Sequence, residues 1–278
     1  MIENIDNLVK ALGNNSSRIV IDKASIASQT ANSYCSLWRA TGQPGQGAIP
    51  TVVATCNNTT VGTIGFNQQT SPSTSYGAYL EIATGNAAMT MELHDRLANM
   101  GGLNGTLTTA QSVNLDLNTL LATDNINKRK GDANYSDVQW WLEWYTATGA
   151  TVVTATIAVT YNDGTTGNLS ALSLAATRPA SHMILLNSLI PPAQSGKYIR
   201  GIISVSLSAS TGTAGNFGVT ATRPRMTLSA PIGNFKFIAD WAQLGLPEIY
   251  NSSAIFPIVL TPTTSTGTVR GGGKIAHG

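Results

Sequence analysis

Apolar and polar residues alternate with a period of two along most of the chain from about residue 50. The alternation is clear over residues 89–94, 113–117, 151–161 and 199–207. Residues 138–145 carry its strongest form, in which one face is uniformly apolar: Val138, Trp140, Leu142 and Trp144. Alternation with one buried face is typical of antiparallel sheets.

Segments rich in Gly, Asn and Thr separate these predicted strands. Residues 162–164 and 211–216 have the composition of hairpin connections. Longer loops are predicted at 42–50, around Pro72 and at 120–134, and a short helix within 237–244. Many short strands without βαβ alternation predict an all-β protein. Because some connections are long, we expect a jelly-roll-like antiparallel β-sandwich.

The two ends of the chain differ from this pattern. The first thirteen residues predict a short amphipathic helix with one apolar face: Ile2, Ile5, Leu8, Val9 and Leu12. So short a helix must dock on its own domain or on a neighbouring subunit, and the sequence leaves both open.

The last residues, 261–278, are rich in Thr and Gly and cannot build a core. They predict a frayed tail or an extended arm that pairs with a neighbour's sheet edge, and we expect the arm. Its apolar contacts would come from Val269 and Ile275. The expected organisation is therefore an N-terminal helix and arm (1–50), a β-sandwich body (51–260) and an extended C-terminal tail (261–278).

The composition favours a subunit of an assembly. Charged residues make up 11% of the chain, against about a quarter in an average protein. Ser and Thr replace them, and a weakly charged surface suits permanent packing against neighbours. A net charge of +2 gives no support to direct nucleic-acid binding. The basic run Lys128–Lys130 is expected to be a solvated loop.

The cysteine count and the lack of targeting patterns in the sequence predict the redox state and the location of the protein. Cys35 and Cys56 are too few for a disulfide scaffold, so thiols are favoured over one bridge. The sequence has neither a signal-peptide pattern after Met1 nor an 18-residue apolar span. We expect a soluble protein made in a host cytoplasm, with no membrane partner.

The sequence predicts no enzyme, metal or cofactor. His94, His182 and His277 lack ligand-like spacing, and no Gly-x-Ser-x-Gly elbow or complete phosphate loop occurs. Two carboxylate pairs, Glu92 with Asp95 and Asp137 with Glu143, have the residue types of a glycosidase. Acids on the outward face of a strand are normally solvated, so we expect no catalysis.

An aromatic cluster remains to be assigned. Trp140 and Trp144 share the apolar face and are expected in the core. Trp141 and Tyr145 lie on the opposite face. They are expected to cover the sandwich or anchor an interface, and the alternative is a platform that stacks on a sugar.

Three further segments stand out: residues 137–151 (DVQWWLEWYTATGAT), 211–220 (TGTAGNFGVT) and 94–97 (HDRL). They resemble a set of virion proteins encoded among the head genes of tailed bacteriophages, within a similarity that spans roughly residues 75–260. The resemblance implies a head-associated structural role, such as a cement or decoration subunit with a β-sandwich body. It carries over no functional residue.

The first hypothesis is therefore a capsid cement subunit on the exterior of the virion, which bridges capsomers. Its partners would be the major capsid protein and further copies of itself, with a trimer suited to threefold joints. The alternatives are a tail or fibre component that binds a host glycan and the major capsid shell protein. The candidate interface residues are Ile2, Ile5, Val9, Leu12, Trp141, Tyr145, Val269 and Ile275.

Overall fold

Almost all regular structure in the chain is β-strand. The computed structural model describes residues 2–122, 128–175 and 177–278. Its strands are Ser16–Lys23 (β1), Ser33–Ser36 (β2), Gly42–Gln43 (β3), Ala54–Thr55 (β4), Ser75–Thr84 (β5), Met89–Leu103 (β6), Gln111–Asp116 (β7), Gln139–Thr146 (β8), Val153–Tyr161 (β9), Thr166–Asn168 (β10), Leu172–Leu174 (β11), His182–Leu185 (β12), Ile199–Leu207 (β13), Asn216–Ala230 (β14), Lys236–Ala239 (β15), Ile255–Thr261 (β16) and Val269–His277 (β17). The predicted all-β class is confirmed.

The helices are short. They are Ile5–Asn14 (α1), Leu117–Leu120 (α2) and Trp241–Leu244 (α3), with 3₁₀ turns at Lys128–Lys130, Asn187–Leu189 and Pro192–Gln194. None of the helices in the described ranges has the length and apolarity needed to cross a membrane.

The chain forms two compact units. The first comprises Met1–Ala48, Asn57–Asp95 and Pro224–Gly278, and the second comprises Ile49–Cys56 and Arg96–Arg223. Strands β6 and β14 each contribute residues to both units. The sequence expectation placed its boundaries at 50/51 and 260/261, where composition changes. The units divide at 48/49, 56/57, 95/96 and 223/224, and the last two divisions fall within β6 and β14, where composition gives no signal.

The first unit is an antiparallel β-sandwich. One layer is a five-stranded sheet in the order β15-β5-β17-β1-β3, and in the other layer β16 pairs with β2 and with the first half of β6. Ile19 and Leu80 from the first layer and Met91 and Val259 from the second belong to one buried cluster. The inward residues of alternating strands supply this core.

The second unit is also a sandwich. One layer has the order β10-β9-β13-β7, with β11 on β9, and in the other layer β8 lies between β14 and β12. Trp140 is fully buried and its indole N–H donates to the Ile199 carbonyl at 2.8 Å. Trp144 stacks on Phe217 with 5.6 Å between ring centroids. Both tryptophans therefore lie in the core, as their face predicted.

The connections agree with the sequence only in part. Residues 162–164 join β9 and β10, which pair as the predicted hairpin. Residues 211–216 join β13 and β14, which lie in different sheets, so the hairpin prediction there is wrong. Residues 237–244 divide between β15 and α3 because Asp240 caps the helix. Residues 123–127 of the predicted 120–134 loop lie outside the described residues.

Residues 269–277, within the expected C-terminal tail, form β17 in the sheet of their own unit. This strand pairs with β1 on one side and β5 on the other. A Cβ at Gly271 would lie 2.2 Å from the Glu81 carbonyl oxygen, and one at Gly273 would lie 2.4 Å from that of Tyr79. The glycines therefore let β17 fit closely against β5.

Candidate functional site

Helix α1 docks on the outer face of the five-stranded sheet of its own unit. Asn4 caps its first turn. Leu8 and Ala11 are buried in one cluster with Ala78 and Ala276. The choice that the sequence left open, between its own domain and a neighbour, is thus decided for this side of the helix.

The other side of α1 keeps an apolar stripe in solvent. Ile5 is 54% exposed and Val9 is 60% exposed, one helical turn apart. Ile2 and Leu12 are half-buried at the rim of the docked side. Four of the candidate interface residues therefore lie in α1 or just before it, and two of them, Ile5 and Val9, point into solvent.

The aromatic candidates are buried inside the second unit. Trp141 is 1% exposed and its indole N–H donates to the Thr222 hydroxyl at 2.9 Å. Tyr145 is 4% exposed and its hydroxyl donates to Glu143 at 3.1 Å. Strand β8 is covered on both faces, so Trp141 and Tyr145 present no exposed ring on which a sugar could stack.

The C-terminal candidates are buried as well. Val269 and Ile275 are both fully inaccessible and belong to the core of the first unit. Their side chains alternate with outward-facing Arg270 and Lys274 along β17. They hold β17 in its own sheet.

A buried ionic cluster lies in the second unit. The Arg96 guanidinium donates to Glu143 at 2.7 Å, to the Tyr145 hydroxyl at 3.0 Å and to Thr220 at 3.2 Å. With its amide oxygen turned inward, Asn99 accepts from Arg96 Nε at 2.8 Å. Burial opposes the charge on Arg96, but Glu143, Tyr145 and Cys56 together outweigh burial and raise the Arg96 pKa. Burial and Glu143 both raise the pKa of Tyr145.

This cluster corrects two expectations about charged residues. Glu143 is 1% exposed, so it is not a solvated acid on an outward face. Arg129, from the run expected to be a solvated loop, is also 1% exposed and donates to the carbonyls of Cys56 and Arg96. Both errors arose because strand alternation and local charge give no information on a second covering layer.

The other carboxylate candidates have structural contacts too. Asp95 is buried and accepts from the Ser253 hydroxyl and the Ala254 N–H. Asp137 forms an ion pair with Arg223 at 2.7 Å. Glu92 contacts His94 at 2.7 Å. For the described residues, these hydrogen bonds and ion pairs explain why Asp95, Asp137 and Glu92 lie where they do. Their positions need no catalytic role.

The histidines and cysteines are buried at separate places. Burial lowers the pKa of His94, against the raising effect of Glu92, and burial and nearby Arg178 lower that of His182 to about 4. His277 contacts the hydroxyls of Ser17 and Ser75. Cys35 and Cys56 are buried thiols, as favoured, and burial raises the Cys35 pKa to about 12. No group of three His, Cys, Asp or Glu suited to a metal occurs in the described part of the chain.

Comparison with known proteins adds little. No family model matches, and no curated protein matches. Among solved structures, VP2 of infectious bursal disease virus in T=1 particles (a D431N mutant) is 10% identical, with 99% of this chain and 83% of that chain covered and a TM-score of 0.17. A VP2 subviral particle of the same virus gives 12% identity, 95% and 80% coverage and a TM-score of 0.19. At such TM-scores the likeness establishes neither a shared fold nor a shared function.

Proposed function

We propose that the chain is a structural subunit of a tailed-phage particle, a cement or decoration protein on the capsid exterior that bridges capsomers. The observation that carries the proposal is the apolar pair Ile5 and Val9, exposed on a helix whose other side is docked. A weakly charged, Ser- and Thr-rich chain supports the same role, as does the resemblance to head-gene virion proteins.

The proposed partner of this stripe is the major capsid protein. Burying one Ile or Val side chain contributes roughly 1.5–3 kcal/mol. Loss of both apolar contacts would then raise the dissociation constant for the capsid by more than about tenfold. Further copies of the chain are the second partner, and a trimer would suit the threefold joints.

The test uses particles depleted of the protein. We expect them to release DNA at a lower temperature on heating, and purified wild-type protein to restore the release temperature. An Ile5→Lys/Val9→Lys double variant should fold but fail to restore it. Val61→Lys is the matched control, since Val61 is 65% exposed in the same unit and is not a residue of α1.

Three results would contradict the proposal. Depletion could leave the release temperature unchanged, or the α1 variant could restore it as well as Val61→Lys does. A map of the particle that shows this chain in the tail, or as the shell itself, would replace the cement role with the corresponding alternative.

A further inference from the structure

Strand β15 ends the five-stranded sheet of the first unit and exposes apolar side chains. It pairs with β5 on one side, and on its other side the described chain provides no strand. Ile238 is 50% exposed, and Phe235, just before the strand, is 64% exposed. Open edges with apolar side chains are sites where a further strand adds.

The register shows which backbone groups face the open edge. The Gly85 N–H donates to Thr268 O, so residue 85 and, two residues back, residue 83 face β17. Residues 82 and 80 then face β15, where they pair with Phe237 and Ala239. The N–H and C=O groups of Lys236 and Ile238 therefore point away from the sheet.

The sequence of this edge is complementary to itself. In a two-fold antiparallel pair centred on Ile238, Lys236 of each copy lies opposite Asp240 of the other. Both side chains are exposed, and Asp240 is extended in backbone conformation. Lys236 Nζ contacts Glu81 at 2.6 Å, but an ammonium has three donors and can serve both carboxylates.

Neighbouring registers lack this match. A pair centred on Phe237 sets Lys236 against Ile238, and a pair centred on Lys236 places two lysines opposite each other, which is unfavourable. Only the Ile238 centre combines facing hydrogen-bonding groups, an apolar contact at the axis and two opposite-charge pairs.

We infer that β15 is a self-association edge, at which two copies of this chain join their five-stranded sheets across a two-fold axis at Ile238. The contact is isologous, because each copy presents the same strand. The inference rests on the self-association part of the proposed function, and it gives that contact two-fold symmetry in place of the threefold symmetry of a trimer.

The first test is the mass of the purified full chain over a concentration series, by light scattering after size exclusion. We expect the wild type to move from 29.0 kDa toward twice that mass as concentration rises. Ile238→Lys places like charges at the axis and should remain at 29.0 kDa. Val20→Lys is the matched control. Val20 is 45% exposed in the same row of the outer face, three strands away from β15, and its variant should behave as wild type.

A positive test uses Ile238→Cys. Hydrogen-bonded partners across antiparallel strands have Cα atoms about 5.5 Å apart, within the range of a disulfide. Mild oxidation should therefore give a covalent dimer of Ile238→Cys, and no such dimer of Val20→Cys. The native Cys35 and Cys56 are buried and should not interfere.

A wild type that stays monomeric, equal behaviour of Ile238→Lys and Val20→Lys, or equal cross-linking of the two cysteine variants would each overturn the inference. Failure of the proposed function is distinguishable. A protein that dimerises through Ile238 but never restores depleted particles keeps the edge contact and loses the cement role.

Discussion

At the scale of single residues, the Arg96–Glu143 pair should be the most sensitive point of the second unit. Glu143→Gln leaves a buried guanidinium without its counter-charge, and we expect a loss of about 3–5 kcal/mol in the free energy of unfolding. The double variant Arg96→Met/Glu143→Leu should recover much of that loss, because it removes both desolvated charges. Urea unfolding followed by tryptophan fluorescence measures both.

An exposed ion pair provides the control for this comparison. Arg270 and Asp22 are 3.2 Å apart with side chains 70% and 64% exposed. Such pairs contribute little in water, so Asp22→Asn should leave unfolding nearly unchanged. Equal losses of unfolding free energy in Glu143→Gln and Asp22→Asn would show that the buried ion pair stabilises the protein no more than an exposed one.

His182 should make the second unit sensitive to acid. Its pKa is lowered from 6.5 to about 4 by burial and by Arg178, so the unfolded chain takes up a proton in this range that the folded chain does not. Stability is therefore lost as pH falls from 6.5 toward 4, by up to about 3 kcal/mol. His182→Gln should flatten the dependence of unfolding free energy on pH in that window. A slope equal to that of the wild type would contradict the assignment.

At the scale of elements, the fit of β17 depends on its glycines. A Cβ at residue 273 would lie 2.4 Å from the Tyr79 carbonyl oxygen, which is backbone and cannot rotate away. Gly273→Ala should therefore lower stability by about 1–3 kcal/mol, seen as a lower midpoint of thermal unfolding. Gly13→Ala, in α1 with nothing within 4 Å of the added carbon, should leave stability unchanged or raise it by up to about 1 kcal/mol. A lower midpoint for Gly13→Ala, or none for Gly273→Ala, would refute this account.

The elements also show what the sequence could and could not predict. Strands with one buried face, such as β9 and β13, were found within about two residues, because period two is a local signal. Strand β8 was found as well, yet the burial of Trp141 and Tyr145 was not, because a second covering layer comes from distant segments. The sequence predicts a tail at β17 because glycines contribute no side chain to a core. Their role, close contact with the neighbouring strand β5, is visible only once the two strands are paired. Lys23 is fully buried, with its ammonium donating to the carbonyls of Ala40 and Pro44, and no local pattern indicated it.

The interface candidates divide in the same way. The docked side of α1 and its exposed pair follow from helical periodicity once Leu8 is known to face the sheet. The open edge at β15 could not be predicted from the sequence, since the periodicity of 237–244 indicates a helix and only the sheet order places β15 last. Whether an exposed apolar residue lies at a possible interface is thus indicated by its position in the sheet order, and not by its neighbours in sequence.

At the scale of the whole molecule, the shared strands predict a single unfolding transition. Strand β14 supplies Phe217 and Val219 to the core of the second unit and Met226 and Ala230 to that of the first, and β6 is divided similarly. Loss of either core would therefore release strands on which the other core depends. Leu142→Ala in the second unit and Val259→Ala in the first should both shift one common transition, the leucine change by about 2–5 kcal/mol. Near- and far-ultraviolet circular dichroism should report coincident midpoints. Two separate transitions, of which each variant moves only one, would instead show that the units unfold independently despite the strands they share.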